Sequence, residues 1–264
     1  MKNYSKQSFD SAAKQYDDVF TFSEIGMLQR QRVYHWLDRS GFFSSSKRIF
    51  EINCGTGYDA EQFVQRGHEV IATDDSAEMT SEAKQKRNLM IDFQQLSFHE
   101  VANHPNFAET NVLFSNFGGL NCINHRELKQ FTSDVANNQS RGDQLIWVLM
   151  PKICMIESIY FLLKLQLKKA FRRNTSSATV VNVQSSSIPT FYHSPKEVRE
   201  MLEENYMIIL IKPVAIFLPP SYFEEFFGKH KAILNFLNRL ESVFGSISRL
   251  ASWSDHFIII AEKK

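Results

Sequence analysis

The stretch FEINCGTGYDAEQF, residues 50–63, decides how the rest of the chain is read. It continues the apolar-rich run KRIF and leads into residues of helical spacing, so Gly55-Thr56-Gly57 is a turn between a strand and a helix. Residues 55–60 satisfy the pattern G-x-G-x-x-[GA], in which glycines permit positive φ and close approach of the backbone to a ligand. A dinucleotide site adds a pyrophosphate at the helix N-terminus and, about 20 residues on, an acid that holds the ribose hydroxyls. Asp74, which closes HEVIATD 23 residues after Glu51, is in position to be that acid. The loop alone leaves a dinucleotide and another nucleoside cofactor both open.

Working outward, alternation of strands and helices extends over about 100 residues. KRIFEINC and HEVIATD are the first two strands, with a helix over roughly 58–66 between them and Gly67 as its stop. Ser76 caps a helix running to about residue 88, and MIDFQQL is a third strand. NVLFSNFGGLN, the helix HRELKQFTSDVANN and DQLIWVLM follow, which together imply a parallel sheet with helices on both faces. Two helical stretches, 5–20 and about 29–40, precede the sheet, and Ser40-Gly41 ends the second.

After Pro151 the pattern changes. Residues 153–173 read as one long helix with apolar residues nearly all round, interrupted by Glu157, Lys164 and Gln166 and so not a membrane span. It reads as a cap over the sheet, or as an interfacial helix whose Lys168, Lys169, Arg172 and Arg173 meet lipid headgroups. TVVNVQ is a strand or hairpin arm, and HSPKEVREMLEEN is a helix with Ser194 as cap and Pro195 at its first position. YMIILIKPVAIFL is a strand broken or bulged at Pro213, and DHFIIIAEK, beyond the helical 221–244, is the last strand.

Composition narrows the classes. With 43% hydrophobic and 22% charged residues the chain can bury a sizeable core. A formal net charge of +1 gives no pull toward nucleic acid or acidic partners. Cys54, Cys122 and Cys154 are far apart, without C-x-x-C spacing, which argues against a disulfide framework or a zinc site and points to a reducing cytoplasm. The first 18 residues lack an apolar core of signal-peptide type. Aromatic residues are abundant, with 23 Phe, among them Phe217, Phe223, Phe226, Phe227, Phe236 and Phe244 of the second half, as a core or as the wall of an apolar pocket.

Glu51 separates the cofactor classes. A carboxylate in the strand leading to the loop repels a pyrophosphate and suits a cationic or zwitterionic ligand. Glu51, the loop NCGTG and the acid ending the second strand resemble the class I S-adenosylmethionine-dependent methyltransferases, whose signature is E/D-x-G-x-G-x-G. The resemblance extends to the end of the chain, where that family inserts an antiparallel seventh strand beside the fifth. It implies a seven-stranded, mostly parallel Rossmann-like α/β sheet with helices on both faces, an antiparallel last strand, an N-terminal helical lid and a helical insertion after strand five. One domain then spans residues 1–264: a cap over 1–45, a cofactor half over 46–150 and a substrate-side elaboration over 151–264.

By the resemblance, the cofactor is S-adenosyl-L-methionine. Glu51 approaches its methionine amino group, and Asn53, Cys54, Gly55 and Gly57 present backbone to methionine and ribose. Asp74 takes the ribose hydroxyls, with Asp75 and Met79 flanking adenosine. Asn53 stands where the family has glycine, a position asparagine can occupy because it tolerates left-handed torsions. No acid follows the third strand, so adenine falls to Ser97 and Phe98. Asn116 and Phe117 line the methionine end, without the prolines of the amino-directed N/D-P-P-F/Y motif.

For a general base the candidates are His125, His193 and His256, with Tyr192 as a positioning hydroxyl; His256, in a strand, also reads as structural. Phe9, Tyr16, Phe20 and Phe22 supply a lid or pack on the sheet. Gln29, Arg30 and Arg32 are candidates for the cofactor carboxylate. The expected activity is methyl transfer, by elimination O-methylation, to a small apolar or amphiphilic molecule, with no nucleic-acid partner and with membrane contact through 153–173. The rivals are an NAD(P)-dependent oxidoreductase and a non-catalytic cofactor-binding protein of the same fold.

Overall fold

The computed structural model describes residues 9–87, 90–183 and 186–264. The ends of three segments read from sequence, at residues 5–8, Asn88 and Gln184, lie outside these. A short 3-10 turn at Asp10–Ala12, helix α1 (Ala13–Tyr16) and a π turn at Asp17–Thr21 replace the single first helix read from sequence. Helix α2 (Glu24–Arg39) begins where the Ser23 hydroxyl accepts from Gly26 N–H at 3.0 Å, and the chain leaves it through Gly41 at φ 77°.

The cofactor half is β1 (Arg48–Ile52), α3 (Tyr58–Gln65), β2 (Glu69–Asp74), α4 (Ala77–Lys86), β3 (Asp92–Gln95), α5 (Phe98–Val101), β4 (Val112–Ser115), α6 (His125–Ala136) and β5 (Gln144–Leu149). Beyond it lie α7 (Met155–Leu163), α8 (Leu167–Ala170), a hairpin of β6 (Thr179–Val183) and β7 (Ser186–Thr190), α9 (Pro195–Leu202), β8 (Tyr206–Val214), α10 (Glu224–Phe227), α11 (Lys231–Phe244) and β9 (His256–Lys263). The seven-stranded sheet has the order β3-β2-β1-β4-β5-β9-β8. β1 to β5 pair in parallel, while β9 lies antiparallel between β5 and β8. The antiparallel close and the edge to which it attaches are as read from sequence.

Central strands read as continuous apolar runs because both faces are covered. In β5, Leu145, Trp147 and Leu149 point into one core and Ile146 and Val148 into the other; in β9, Phe257 and Ile259 alternate with Ile258 and Ile260. The first core packs Leu128 and Phe131 of α6 and Val198 and Leu202 of α9; the second packs Val33 and Leu37 of α2 and Phe63 of α3.

Two expectations are corrected. The stretch 153–173 is not one helix: α7 closes in a left-handed turn, with Leu165 at φ 57° and Gln166 N–H donating to Phe161 O at 2.8 Å. The cause lies in Glu157, which accepts from Arg172 Nε at 2.6 Å and from Arg173 Nη2 at 2.6 Å. Along a straight helix those partners would stand about 22 Å away, so the chain must fold back. The irregularity in β8 falls between Ile208 and Leu210, whereas Pro213 stays in register opposite Phe257. Proline is tolerated there because β8 is an edge strand.

Because β9 runs opposite to both neighbours, β8 is parallel to β5. The C-terminal ends of β1, β2, β4, β5 and β8 therefore open on one edge, and the chemistry-bearing loops gather there.

Candidate active site

Glu51 lies in β1, where its neighbours across the sheet are Ala72 and Phe114. After Ile52 the backbone turns left-handed three times, at Asn53 (φ 56°), Gly55 (φ 54°) and Gly57 (φ 76°). Asn53 keeps the torsion expected of a glycine, and its Nδ2 donates to Ser115 Oγ at 3.1 Å. Its side chain occupies the space above Gly119, where a Cβ would stand 2.3 Å from Asn53 Cγ. Gly57 is required both by its torsion and by Phe93, whose ring would lie 2.5 Å from an added Cβ.

Asp74, the last residue of β2, fastens this loop. Its Oδ2 accepts from Gly55 N–H and its Oδ1 from Ser76 N–H, both at 2.9 Å. Burial pushes its carboxyl up to about 6, against the lowering effect of the two amides. Cys54, buried, is tied to β2 by its N–H bond to Thr73 O. Ser76 caps α4 by accepting from Met79 N–H at 3.1 Å; Met79 is buried beneath it. Asp75 follows, its carbonyl accepting from Gln95 Nε2 at 3.0 Å.

At the methionine end expected from the resemblance, Asn116 Nδ2 donates to Asp59 Oδ2 at 2.9 Å and Tyr34 OH to Asp59 Oδ1 at 2.7 Å. Arg30 pairs with the same Asp59, and its guanidinium lies over the rings of Tyr58 at 4.8 Å and Phe117 at 4.9 Å. Among the described residues, two buried atoms here have no hydrogen-bond partner, Glu51 Oε2 and Arg30 Nε. Burial, reinforced by Asp59 and Asp74, drives the Glu51 carboxyl well above the usual carboxylate range, with Arg30 only partly offsetting it. A buried acceptor and a buried cationic donor left unpartnered in one site match an α-amino acid zwitterion, whose ammonium and carboxylate would satisfy them. The residues present therefore fit S-adenosyl-L-methionine.

The N-terminal segment covers the loop. Tyr16 lies 3.6 Å from where a Gly55 Cβ would be, and burial pushes its phenol up to about 12. Asp17 accepts from Thr56 Oγ1 and from Arg87 Nη2, the latter at 2.7 Å, and Asp10 accepts from Ser76 Oγ. Phe22 packs edge-on to Tyr58, and Phe20 packs on Tyr16.

The other expected residues are distributed as follows. Ser97 caps α5 and gives its hydroxyl and its N–H to Glu100, while Phe98 packs edge-on to Phe131 of the core. Gln29 donates to Pro219 O and Asp255 Oδ2, and Arg32 reaches Ser242 and Asn238 of α11, so of that trio only Arg30 pairs with Asp59 behind the loop. His193 is buried, with Nε2 bonded to Ile123 O at 3.2 Å; burial lowers it to about 4. His125 is exposed beside it, ring centroids 6.3 Å apart.

Tyr192 lies under the Arg173 guanidinium at 5.4 Å. Arg173 joins Glu157 to Asp255, at 2.6 and 2.7 Å, and Asp255 Oδ2 stands 3.2 Å from Nδ1 of His256. The His256 ring packs edge-on to Phe117, 5.3 Å between centroids, which joins this buried charge cluster to the methionine end. Burial favours the protonated acid, yet His256 and Arg173 hold Asp255 well below the usual carboxylate range. Sequence reasoning missed Asp17, Thr56, Asp59 and Arg87. Asp59, an acid in the first turn of α3, was the one with a local signal.

The methyltransferase domain family matches residues 49–141, from β1 to the approach of β5. No curated protein sequence matches the chain. Among solved structures, it is similar to magnesium protoporphyrin IX methyltransferase from Synechocystis with bound S-adenosylhomocysteine (14% identity, TM-score 0.59, 97% of this chain and 96% of that one). It is also similar to the 1,6-didemethyltoxoflavin N1-methyltransferase of Burkholderia thailandensis (13%, 0.55, 97% and 85%) and to an S-adenosylmethionine-dependent methyltransferase from Mesorhizobium loti (10%, 0.55, 87% and 97%). At these identities the likeness is one of fold. It agrees with the antiparallel β9, which the oxidoreductase alternative does not provide for. Residues 49–141, which carry the loop and Asp74, match the methyltransferase domain family, and with β8 and β9 completing the sheet the chain has the fold of S-adenosylmethionine-dependent methyltransferases.

Proposed function

We propose that this enzyme methylates a small, apolar or amphiphilic acceptor at oxygen. The observation that carries the acceptor class is the cover formed by residues 10–21, bonded to the loop through Asp10 and Asp17 and roofed by Tyr16. Such a closed, aromatic-walled site suits a small molecule. The bound cofactor supplies an electrophilic methyl group on a positively charged sulfur. Glu51 and Arg30 would hold its amino-acid end and Asp74 its ribose, and Tyr16 and Phe117 would exclude water.

An oxygen acceptor must lose a proton, and His256 is the group best arranged to take it. Asp255 Oδ2 lies 3.2 Å from Nδ1 on one side of the ring, which leaves Nε2 as the atom to take the proton. His193 is a weak base, because burial lowers it to about 4. In this reading Tyr192 is a positioning hydroxyl, and the His125–His193 pair borders the acceptor side.

The test is incubation of the full chain with S-adenosyl-L-methionine and cell extract, followed by mass spectrometry for small molecules that gain a methyl group. A product methylated at oxygen is expected, whereas methyl recovered in RNA or protein overturns the acceptor class. With that acceptor, His256→Gln lowers kcat about 10²- to 10⁴-fold with cofactor affinity unchanged. Loss in His193→Gln alone reassigns the base, and loss in neither removes it from the mechanism.

A further inference from the structure

We infer that the turn joining α7 and α8, with the neighbouring surface of α10, docks on an anionic phospholipid bilayer and turns the acceptor side of the enzyme toward it. Leu163, Leu165 and Leu167 are 82%, 88% and 61% exposed, and Phe171 is 58% exposed. Such a run of protruding apolar side chains is unusual on a free surface. Tyr222 and Phe226, about half exposed, extend the patch. Continuity comes from Tyr160 packing on Phe223 at 4.5 Å and from Arg172 over the Tyr222 ring at 5.4 Å.

The backbone adds a second observation. Leu165 is held at φ 57°, a torsion that glycine adopts freely and that is strained for a leucine. The turn thus carries a large apolar side chain, directed into solvent, where glycine would be favoured.

Charge selects the occupant. Residues 158–174 contain no Asp or Glu, and Lys164, Lys168 and Lys169 are exposed around the leucines. Glu157 is buried and bonded to Arg172 and Arg173, and Glu225, exposed near the second part of the patch, faces Lys229 at 3.6 Å. Protruding leucines ringed by lysines match the apolar boundary and anionic headgroups of a bilayer. Among the described residues no helix is long and apolar enough to cross a membrane, so the contact is peripheral.

Both helical segments rise from the edge of the sheet that holds the cofactor loop, α7 after β5 and α10 after β8. Docking there would deliver an acceptor partitioned in lipid. This last step rests on the proposed methyl transfer to an amphiphile; the docking itself does not.

The test is co-sedimentation of the full chain, with cofactor, on vesicles of phosphatidylcholine alone and of phosphatidylcholine mixed with phosphatidylglycerol. Binding to the mixed vesicles, weakened by salt, is expected. Lys164→Gln/Lys168→Gln/Lys169→Gln lowers that affinity about a hundredfold. Leu163→Ser/Leu165→Gly/Leu167→Ser lowers it at least about tenfold. Cofactor affinity, measured by calorimetry on both variants, stays unchanged and certifies the fold. Absence of vesicle binding by the parent overturns the inference, as does a dimer in sedimentation velocity that the leucine substitutions dissociate. Vesicle binding without cofactor binding leaves the docking intact and overturns the methyl-transfer reading instead.

Discussion

The unpartnered Glu51 carboxyl allows a test in which stability and cofactor affinity move differently. Glu51 is 1% exposed and its Oε2 has no hydrogen-bond partner among the described residues, so in the cofactor-free protein the ionised form is disfavoured by burial beside Asp59 and Asp74. A carboxyl whose folded-state pKa is raised binds its proton more tightly when folded than when unfolded. It therefore weakens the fold as pH rises from the unfolded value, about 4.3, to the folded one. Glu51→Gln keeps the shape and removes the titration, so the cofactor-free variant is at least as stable as the parent at neutral pH and lacks this part of the pH slope in urea unfolding. Affinity changes in the opposite sense. A hydrogen bond between the carboxylate and the cofactor ammonium contributes about 1.5–3 kcal/mol, so calorimetry is expected to show binding weakened roughly 10- to 150-fold. The parent also gives up a proton from Glu51 on binding, detectable as a dependence of the binding enthalpy on the buffer's ionisation enthalpy, and the variant loses that component. Unchanged affinity in Glu51→Gln, or a destabilised cofactor-free variant, would refute the reasoning.

Asp74, raised to about 6 by burial, must be ionised to accept from ribose hydroxyls, so cofactor affinity climbs between about pH 5 and pH 7; an affinity flat over that range removes Asp74 from the ribose site. Gly57→Ala combines a left-handed torsion with a Cβ 2.5 Å from Phe93, and the sum is about 2–5 kcal/mol of lost stability in urea unfolding; a loss below about 1 kcal/mol contradicts it. Glu157→Gln leaves Arg172 and half of the Arg173 fork without a charged partner, at a cost of about 3–5 kcal/mol. Burial raises the Glu157 carboxyl, but the two arginines more than offset this and hold it low. Its contribution is thus present above the unfolded pKa and lost as pH falls through the folded one, so the variant loses that part of the parent's acid sensitivity, measurable as Tm against pH.

Local physics made most of the fold legible. Strands buried on both faces must be apolar at every position, which marked β5 and β9, and caps such as Ser76 and Ser194 act within three residues of the helix they start. The break between α7 and α8 was not legible, because its cause is a carboxylate that collects arginines 15 and 16 residues further on. Helical periodicity carries no information about such a pair. The bulge in β8 was misplaced for a related reason. Pro213 looks disruptive in sequence, but whether its missing N–H matters depends on the edge position of the strand, which only the sheet order reveals.

The candidate site divides along the same line. Glu51, Gly55, Gly57 and Asp74 could be read because a turn between strand and helix imposes its chemistry on neighbouring residues. Asp59 and Asp17 could not, since each works through a partner far away in sequence: Asp59 through Arg30 and Asn116, Asp17 through Thr56 and Arg87. Those partnerships alter how the legible residues act. Were Asp59 not held by Arg30, Tyr34 and Asn116, it could offer its own carboxylate to an incoming ammonium beside Glu51. Bonded by all three, it is left as a fixed negative charge that raises the Glu51 carboxyl and orients Arg30 over Tyr58 and Phe117. In the proposed reading Glu51 would be the acceptor left for the ammonium and Arg30 Nε the donor left for the carboxylate, so a preference for a zwitterion would come from a third residue that needs to touch neither end of it.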